Sequence, residues 1–140
     1  MPAEWVLDAS VAVKCFITEP GSEAARQLVG SGVRIVAPEF VFAEIASVAT
    51  KRARRGDIER AFAEEIVSSA PDLFDVTYPV GPLAQRAQQL SFDYAVSVYD
   101  GLYVALAESL EIAVMTADLR LERRLEGSAI SARIQILEID

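Results

Sequence analysis

The stretch at residues 4–14, EWVLDASVAVK, contains the first strand of the fold and the first candidate functional residue. Residues 4–7 predict a short buried strand that runs into Asp8, and residues 10–16 then predict a short helix. Residues 112–115 repeat this arrangement, because that apolar run is followed closely by Asp118. Strands that end near an acidic residue and lead into a helix are typical of α/β folds, in which ligands bind at the carboxyl ends of parallel strands.

The rest of the chain alternates predicted strands and helices. Further strands are expected at residues 33–37, 74–78 and 133–139, and helices at residues 22–29, 38–55, 57–69, 81–90, 97–110 and 119–126. Pro38 suits the first turn of its helix, and Asp57 is expected to cap the helix that follows. This order predicts one α/β domain over residues 1–140, with a mainly parallel sheet covered on both faces.

The composition narrows the possible chemistry. The chain has 140 residues, one cysteine and no histidine, which excludes Ser-His-Asp triads, Cys-His pairs and the usual zinc sites. The lone Cys15 cannot form an internal disulfide, and no apolar run reaches the roughly 18 residues of a membrane span. We therefore expect a cytoplasmic protein with no membrane partner, whose catalysis depends on carboxylates, hydroxyls, Lys and Arg.

Four of the 21 acidic residues are distinguished by their position. Asp8 and Asp118 each follow a predicted parallel strand, so both are expected at the same edge of the sheet. Glu44 and Asp100 each lie on the apolar face of a predicted helix, where a carboxylate is costly to bury unless it is paired or bound to a metal. The sequence therefore predicts that these four carboxylates converge.

Such a cluster has a definite chemical use. Converging carboxylates raise one another's pKa, and a hard cation such as Mg²⁺ or Mn²⁺ relieves the repulsion and can promote phosphodiester hydrolysis. Two bound divalent ions would also offset half of the net charge of −8 that otherwise disfavours a nucleic-acid partner. Each residue alone has a simpler explanation, which stays open: Asp8, Asp100 and Asp118 as helix caps, and Glu44 as a solvent-facing side chain.

Four short segments stand out along the chain, at residues 6–14 (VLDASVAVK), 37–46 (APEFVFAEIA), 99–107 (YDGLYVALA) and 115–121 (MTADLRL). In sequence and in order, they resemble motifs of the PIN-domain ribonucleases, especially the VapC toxins of bacterial and archaeal toxin–antitoxin pairs. They contain the same four acidic residues that position alone distinguishes. The resemblance spans the chain from Val6 to the last predicted strand.

The resemblance implies a three-layer α/β/α sandwich with about five strands, and a Mg²⁺- or Mn²⁺-dependent endoribonuclease that acts as a toxin. The metal-binding catalytic residues would be Asp8, Glu44, Asp100 and Asp118, with Ser10 and Thr116 as hydroxyls near the metal or the scissile phosphate. It also implies an RNA substrate, a homodimer, and a VapB-like antitoxin whose C-terminal segment covers the active site.

Two residues depart from the family's pattern. Cys15 stands where relatives often carry Trp, and we expect it to be a buried apolar filler and not a redox switch. Gly101 stands where a small residue such as Ala is more common, and we expect it to loosen the first turn of the helix that carries Asp100.

The basic and aromatic residues are less decisive. The basic residues cluster at residues 51–55 (KRARR) and at Arg120, Arg123 and Arg124, and each cluster is open to two interpretations: a solvated helix end, or a contact with RNA or antitoxin. Lys14 could also face the substrate. We expect most of the larger aromatic side chains to pack in the core or on a dimer surface, namely Trp5, Phe40, Phe42, Tyr99 and Tyr103.

The sequence fits two other functions less well. An acidic-pocket Mg²⁺ phosphotransfer domain, such as a receiver domain, needs a Lys after the last core strand and an acidic pair beside the first strand, and the sequence has neither. A catalytically silent PIN-like binding module has no need of all four acidic residues. Metal-dependent RNA cleavage is therefore the favoured hypothesis.

Overall fold

A parallel sheet forms the centre of the computed structural model, which describes residues 3–138. Its strands are β1 (Glu4–Leu7), β2 (Arg34–Pro38), β3 (Val76–Tyr78), β4 (Ala113–Thr116) and β5 (Ile134–Ile136). The strands are hydrogen-bonded in the order β3-β2-β1-β4-β5, and every pairing is parallel. The chain order therefore reverses direction at β1, and the carboxyl ends of β1 and β4 lie side by side.

Helices connect and cover the strands. They are α1 (Ala9–Lys14), α2 (Ser22–Gly30), α3 (Val41–Arg54), α4 (Arg60–Ser69), α5 (Gly81–Tyr94), α6 (Val98–Leu110) and α7 (Leu119–Leu125), with short 3₁₀ helices at Ala70–Leu73 and Ala129–Arg133. Among the helices of the described part of the chain, none combines the length and hydropathy that a bilayer crossing requires.

The core is formed on both faces of the sheet. Trp5, Val6 and Leu7 are successive residues of β1 and all three are buried, although neighbouring side chains of a strand point to opposite faces. Helix α6 packs against β1, β2 and β4 with α5 on its outer side, and α1 packs against α3 and β4. Helices thus cover both faces, which confirms the predicted α/β/α architecture with five strands.

Two predicted helix starts are wrong. Pro38 is the last residue of β2, paired with Tyr78, and α3 begins only at Val41. The fixed φ of proline suits an extended strand as well as a first helical turn, and the hydrogen bond from Glu39 N to Tyr78 O continues the β2–β3 pairing one residue further. Asp57 does not cap α4, because its carboxylate pairs with Arg55 and the residue at the N-cap is Glu59.

Other boundaries shift for local reasons. Strand β3 begins at Val76, because the carboxylate of Asp75 takes the place of a strand partner and accepts a 2.7 Å hydrogen bond from Ile35 N. Helix α5 continues past Leu90 to Tyr94 and ends where Ala95 adopts a left-handed conformation. Strand β5 covers Ile134–Ile136, and the predicted end of that strand at residue 139 lies outside the described residues.

Candidate metal-binding active site

Asp8 and Asp118 occupy the edge of the sheet that the sequence predicts. Asp8 follows β1 directly, and its backbone N–H donates to Met115 O of the adjacent strand β4. Asp118 lies two residues beyond β4. Both residues also act as helix N-caps: Asp8 Oδ1 accepts from Val11 N, and Asp118 Oδ1 accepts from Arg120 N and Leu121 N. Both residues are therefore helix caps, and both also lie at the carboxyl edge of the sheet.

Two hydroxyl groups join the ends of β1 and β4. Ser10 Oγ donates to Asp8 Oδ1 at 2.6 Å and accepts from Ala117 N at 3.0 Å. Thr116 Oγ1 donates to Asp8 Oδ2 and accepts from Asp118 N at 3.0 Å. Thr116 is fully buried, so these hydrogen bonds lie out of water. The network fixes the Asp8 carboxylate and orients the backbone that carries Asp118.

Glu44 meets a tyrosine from another helix. It projects from the first turn of α3, whose neighbouring residues Val41 and Ile45 are fully buried, and its Oε1 accepts a hydrogen bond from the Tyr103 hydroxyl of α6. Tyr103 is 2% exposed, and a buried tyrosine hydroxyl requires a partner. The partly buried carboxylate is thereby held toward α6, which argues against the solvent-facing alternative.

Asp100 lies in the first turn of α6, beside the same edge. Ser97 is the N-cap of this helix, and its hydroxyl accepts from Asp100 N at 3.0 Å. A Cβ atom on the next residue, Gly101, would lie 2.7 Å from the backbone oxygen of Ala87 in α5. Gly101 therefore permits the close crossing of α5 and α6 that positions Asp100, and the loosening of the first turn of α6 stays a prediction.

Burial and mutual repulsion perturb these carboxylates. Burial raises the pKa of Asp8 to about 6, although the hydrogen bonds from Ser10, Thr116 and Val11 oppose that shift, and the charge of Glu44 adds to it. Burial also raises the pKa of Glu44, opposed by the Tyr103 hydrogen bond and supported by the charge of Asp100. The four acidic residues thus form an electrostatic series, in which the charge of one carboxylate raises the pKa of the next.

The last pair of that series is Asp100 with Asp118. Burial raises the pKa of Asp100, and the negative charge of Asp118 adds to this rise. The hydrogen bond with the Ser97 hydroxyl and the positive charge of Arg120 both lower the pKa of Asp100. Burial, with the adjacent Glu44 carboxylate, also raises the pKa of the Tyr103 hydroxyl. Tyr103 is therefore neutral at physiological pH and can act only as a hydrogen-bond donor toward Glu44.

The donor set fits a hard divalent cation, although the carboxylates are not drawn together around one point. Within residues 3–138, no three acidic or cysteine side chains are close enough to hold a metal ion as they stand. Asp8 accepts hydrogen bonds through both carboxylate oxygens, whereas Glu44 and Asp118 accept them through one. No hydrogen-bond donor in the described part of the chain contacts Glu44 Oε2 or Asp118 Oδ2. Partly buried, mutually repelling carboxylates with open oxygens are suitable ligands for Mg²⁺ or Mn²⁺.

Tyr103 belongs to the acidic site, although its position in the sequence predicts only a packing role. The sequence places it on the same helical face as Asp100, three residues later, but treats it as a packing residue. A tyrosine in an otherwise apolar stripe needs a polar partner when buried, and this need was the available signal. The identity of that partner, 59 residues away in the chain, could not be read from local spacing.

Salt bridges occupy much of the first basic cluster. Glu19 forms salt bridges with both Lys14 and Arg52, and the pair with Arg52 connects the segment after α1 to α3. Arg55 forms a salt bridge with Asp57. Lys14 also donates to the backbone oxygen of Pro20 at 2.8 Å, so it is directed toward this segment. In the second cluster, Arg124 donates to Ala95 O, whereas Arg120 lies close enough to Asp100 to act on its pKa.

Cys15 behaves as an apolar filler. It is half-buried against the core, and burial raises the pKa of its thiol to about 11. The thiol therefore stays protonated at neutral pH and is a poor nucleophile, as expected of a structural cysteine.

Comparison with known proteins identifies relatives of this chain. The PIN domain family profile matches residues 5–126. Ribonuclease VapC9 of Mycobacterium tuberculosis is 36% identical over 116 residues, which cover 83% of this chain and 87% of that protein. Ribonuclease VapC12 of the same organism is 36% identical over 126 residues, which cover 83% of this chain and 88% of that protein.

Solved structures share the fold. The structure of VapBC-5 from Mycobacterium tuberculosis, a member of the VapBC family of toxin-antitoxin systems, matches with a TM-score of 0.62 at 23% identity and covers 99% of this chain and 100% of that one. A toxin-antitoxin complex from Klebsiella pneumoniae matches with a TM-score of 0.70 at 14% identity, covering 97% of this chain and 99% of that one.

Proposed function

The chain belongs to the PIN domain family, and from this premise we propose that it is a metal-dependent endoribonuclease, the toxin of a toxin–antitoxin pair. The substrate is RNA, and the reaction is hydrolysis of a phosphodiester bond. The relatives that are 36% identical over most of the chain are named ribonucleases, which supports this class of substrate. The prediction that residues 1–140 form one PIN-like domain is part of the same proposal.

The observation that carries the proposal is the electrostatic series Asp8–Glu44–Asp100–Asp118. These residues come from the end of β1, from α3, from α6 and from the segment after β4. The charge of Asp118 raises the pKa of Asp100, that of Asp100 raises the pKa of Glu44, and that of Glu44 raises the pKa of Asp8. Placing like charges together in a partly buried site costs free energy. Such an arrangement is therefore typical of a site that binds a cation or catalyses a reaction with these carboxylates. Within the histidine-free sequence, metal-assisted phosphodiester hydrolysis is the chemistry that uses it best.

We assign Mg²⁺ or Mn²⁺ to the four carboxylates. When bound, such an ion lowers the pKa of a water molecule and neutralises charge that develops on the phosphate. Ser10 and Thr116 orient Asp8 and lie beside the expected position of the scissile phosphate. Tyr103 holds Glu44, so that the oxygen it does not contact can face the ion.

The proposal includes partners and a location. A VapB-like antitoxin silences the nuclease by covering the acidic site, and the protein forms a homodimer. The fold shared with two structures described as toxin–antitoxin assemblies supports an antitoxin partner. RNA as substrate and the absence of any possible internal disulfide support a cytoplasmic location.

The experiment that tests the proposal is cleavage of a mixed RNA pool by purified, antitoxin-free protein with Mg²⁺, with Mn²⁺ and with EDTA. We expect cleavage that requires the metal and is lost in Asp8→Asn. Asp72→Asn, which removes an exposed acid from the 3₁₀ helix at Ala70–Leu73, should cut like the wild type. Cleavage that persists in EDTA, or that survives Asp8→Asn, would contradict the proposed role of the four carboxylates.

A further inference from the structure

Two aromatic rings stack beside the acidic residues. The ring centroids of Phe40 and Tyr99 are 4.9 Å apart, and the ring planes are inclined by 11°. Phe40 precedes α3 directly, and its backbone oxygen accepts from Glu44 N. Tyr99 lies in the first turn of α6, immediately before Asp100. The stacked pair therefore joins the two helix starts that carry Glu44 and Asp100.

The two rings differ in their exposure. Phe40 is half-buried and packs against the core, whereas Tyr99 is 57% exposed. Within residues 3–138, the Tyr99 hydroxyl makes no hydrogen bond, and the Tyr99 ring stacks on Phe40. Stacking on an inner ring restricts the rotation of the outer ring and keeps an exposed aromatic surface in place at the rim of the acidic site.

Two further exposed apolar side chains lie close to the acidic residues in the sequence. Val98, before Tyr99, is 40% exposed, and Leu119, which follows Asp118 directly, is 51% exposed. Val98 thus lies two residues before Asp100, and Leu119 lies one residue after Asp118. A ligand at this position has a charged part that reaches the carboxylates and their cation, and a flat apolar part that contacts the rim.

The charge of the protein favours such a ligand. The net charge is −8, and six of the 13 basic residues form salt bridges with acidic side chains inside the described part of the chain. Attraction of the RNA backbone by free Lys and Arg is therefore limited. Stacking of bases on aromatic rings supplies affinity that does not depend on charge, and it is accessible to unpaired bases.

We infer that Tyr99, supported by Phe40, is the platform on which an unpaired base of single-stranded RNA stacks when a neighbouring phosphate lies at the acidic site. The inference rests on the proposed function and adds a residue that positions the substrate. It predicts that the nuclease needs an unstacked base at one fixed place relative to the cut, and that the identity of this base matters less than its presence.

The experiment uses the full chain and short single-stranded RNAs with 2-aminopurine placed at each position in turn. Fluorescence is recorded immediately after mixing in Mg²⁺, so that binding and stacking are observed independently of cleavage. We expect quenching at one position with the wild type and with Tyr99→Phe. Tyr99→Ala should lose the quenching and bind about tenfold or more weakly. The matched control is Phe62→Ala, because Phe62 is another partly exposed aromatic but lies on α4, which packs on α3.

An RNA with an abasic nucleotide at the quenched position completes the test. The missing base should weaken binding to the wild type by about the same factor as Tyr99→Ala, and should add no further loss in that variant. Unchanged binding in Tyr99→Ala, or an equal loss with the abasic RNA in both proteins, overturns the inference. A variant that turns from dimer to monomer in sedimentation while its RNA binding is unchanged also overturns it, since the rim is then an interface between copies. Quenching without cleavage by the wild type would instead contradict the proposed function alone.

Discussion

Thr116 and Asp8, 108 residues apart in the chain, are joined by a buried hydrogen bond between the ends of two adjacent parallel strands. The same hydroxyl accepts from Asp118 N at 3.0 Å. One threonine side chain therefore connects two of the four acidic residues of the candidate site. It also lowers the pKa of Asp8 against the effect of burial.

Thr116→Val tests this connection, because it keeps the shape of the side chain and removes the hydroxyl. We expect the free energy of unfolding to fall by about 1–3 kcal/mol, since Asp8 loses a donor and Asp118 N loses an acceptor. Urea denaturation measures the change. Thr77→Val is the control in β3, where the hydroxyl makes no hydrogen bond within residues 3–138, and it should change stability by less than about 0.5 kcal/mol. Equal effects of the two substitutions would remove the structural role given to Thr116.

The pH dependence of stability follows from Asp8. Its pKa is about 6 in the folded protein, above the ordinary value of 3.8, so the folded state holds the proton more tightly. This contribution is fully present below about pH 4 and is lost as the pH rises through 6, with a total of about 3 kcal/mol. The raised pKa values of Glu44 and Asp100 act in the same direction.

Urea denaturation in EDTA between pH 4 and pH 7 measures this effect as the difference between the wild type and Asp8→Asn. The comparison cancels Glu19 and Glu108, whose lowered pKa values give the opposite slope. The wild type should lose stability relative to the variant as the pH rises. A difference that does not change with pH would mean that Asp8 is ionised in the folded protein throughout this range.

Asp100→Asn separates stability from activity. It removes a charge that repels Asp118 and Glu44 in the metal-free protein, so the free energy of unfolding in EDTA should rise by about 0.5–1 kcal/mol. Cleavage of RNA should be lost in the same variant. Thermal denaturation in EDTA measures the first effect, and a lower midpoint for the variant than for the wild type would contradict a repulsive cluster.

Gly101→Ala tests the helix crossing beside Asp100. The added Cβ would lie 2.7 Å from Ala87 O, which is backbone and cannot turn aside, so we expect a loss of about 1–3 kcal/mol in the free energy of unfolding. Gly30→Ala at the end of α2 meets no atom within 4 Å and should be neutral or stabilising by up to about 1 kcal/mol. If both variants unfold at the same urea concentration as the wild type, α5 and α6 can separate without cost.

The parts of the fold and site that could be predicted are those with a local signal. The apolar runs of β1 and β4 locate Asp8 and Asp118 at one edge, because parallel strands present their carboxyl ends together. The apolar face of α3 identifies Glu44 as a carboxylate that needs a partner. The sequence also predicts that a helix begins at Ser97, which is the N-cap of α6.

The parts that could not be predicted depend on contacts between distant residues. The choice between strand and helix at Pro38 is decided by pairing with β3, because the φ of proline is compatible with both. The requirement for Gly101 comes from the backbone of α5, and no spacing within α6 reveals it. Likewise, the packing of Phe40 on Tyr99 depends on how α3 and α6 meet.

The central claim is that Asp8, Glu44, Asp100 and Asp118 together hold a divalent cation. Crystals grown in Mn²⁺, at a concentration that supports RNA cleavage, allow the ion to be located by its anomalous scattering. We predict one or two peaks between the four carboxylates, and their loss in crystals of Asp8→Asn. Protein that cuts RNA under these conditions but binds Mn²⁺ only elsewhere, or shows no peak among these residues, would contradict the account.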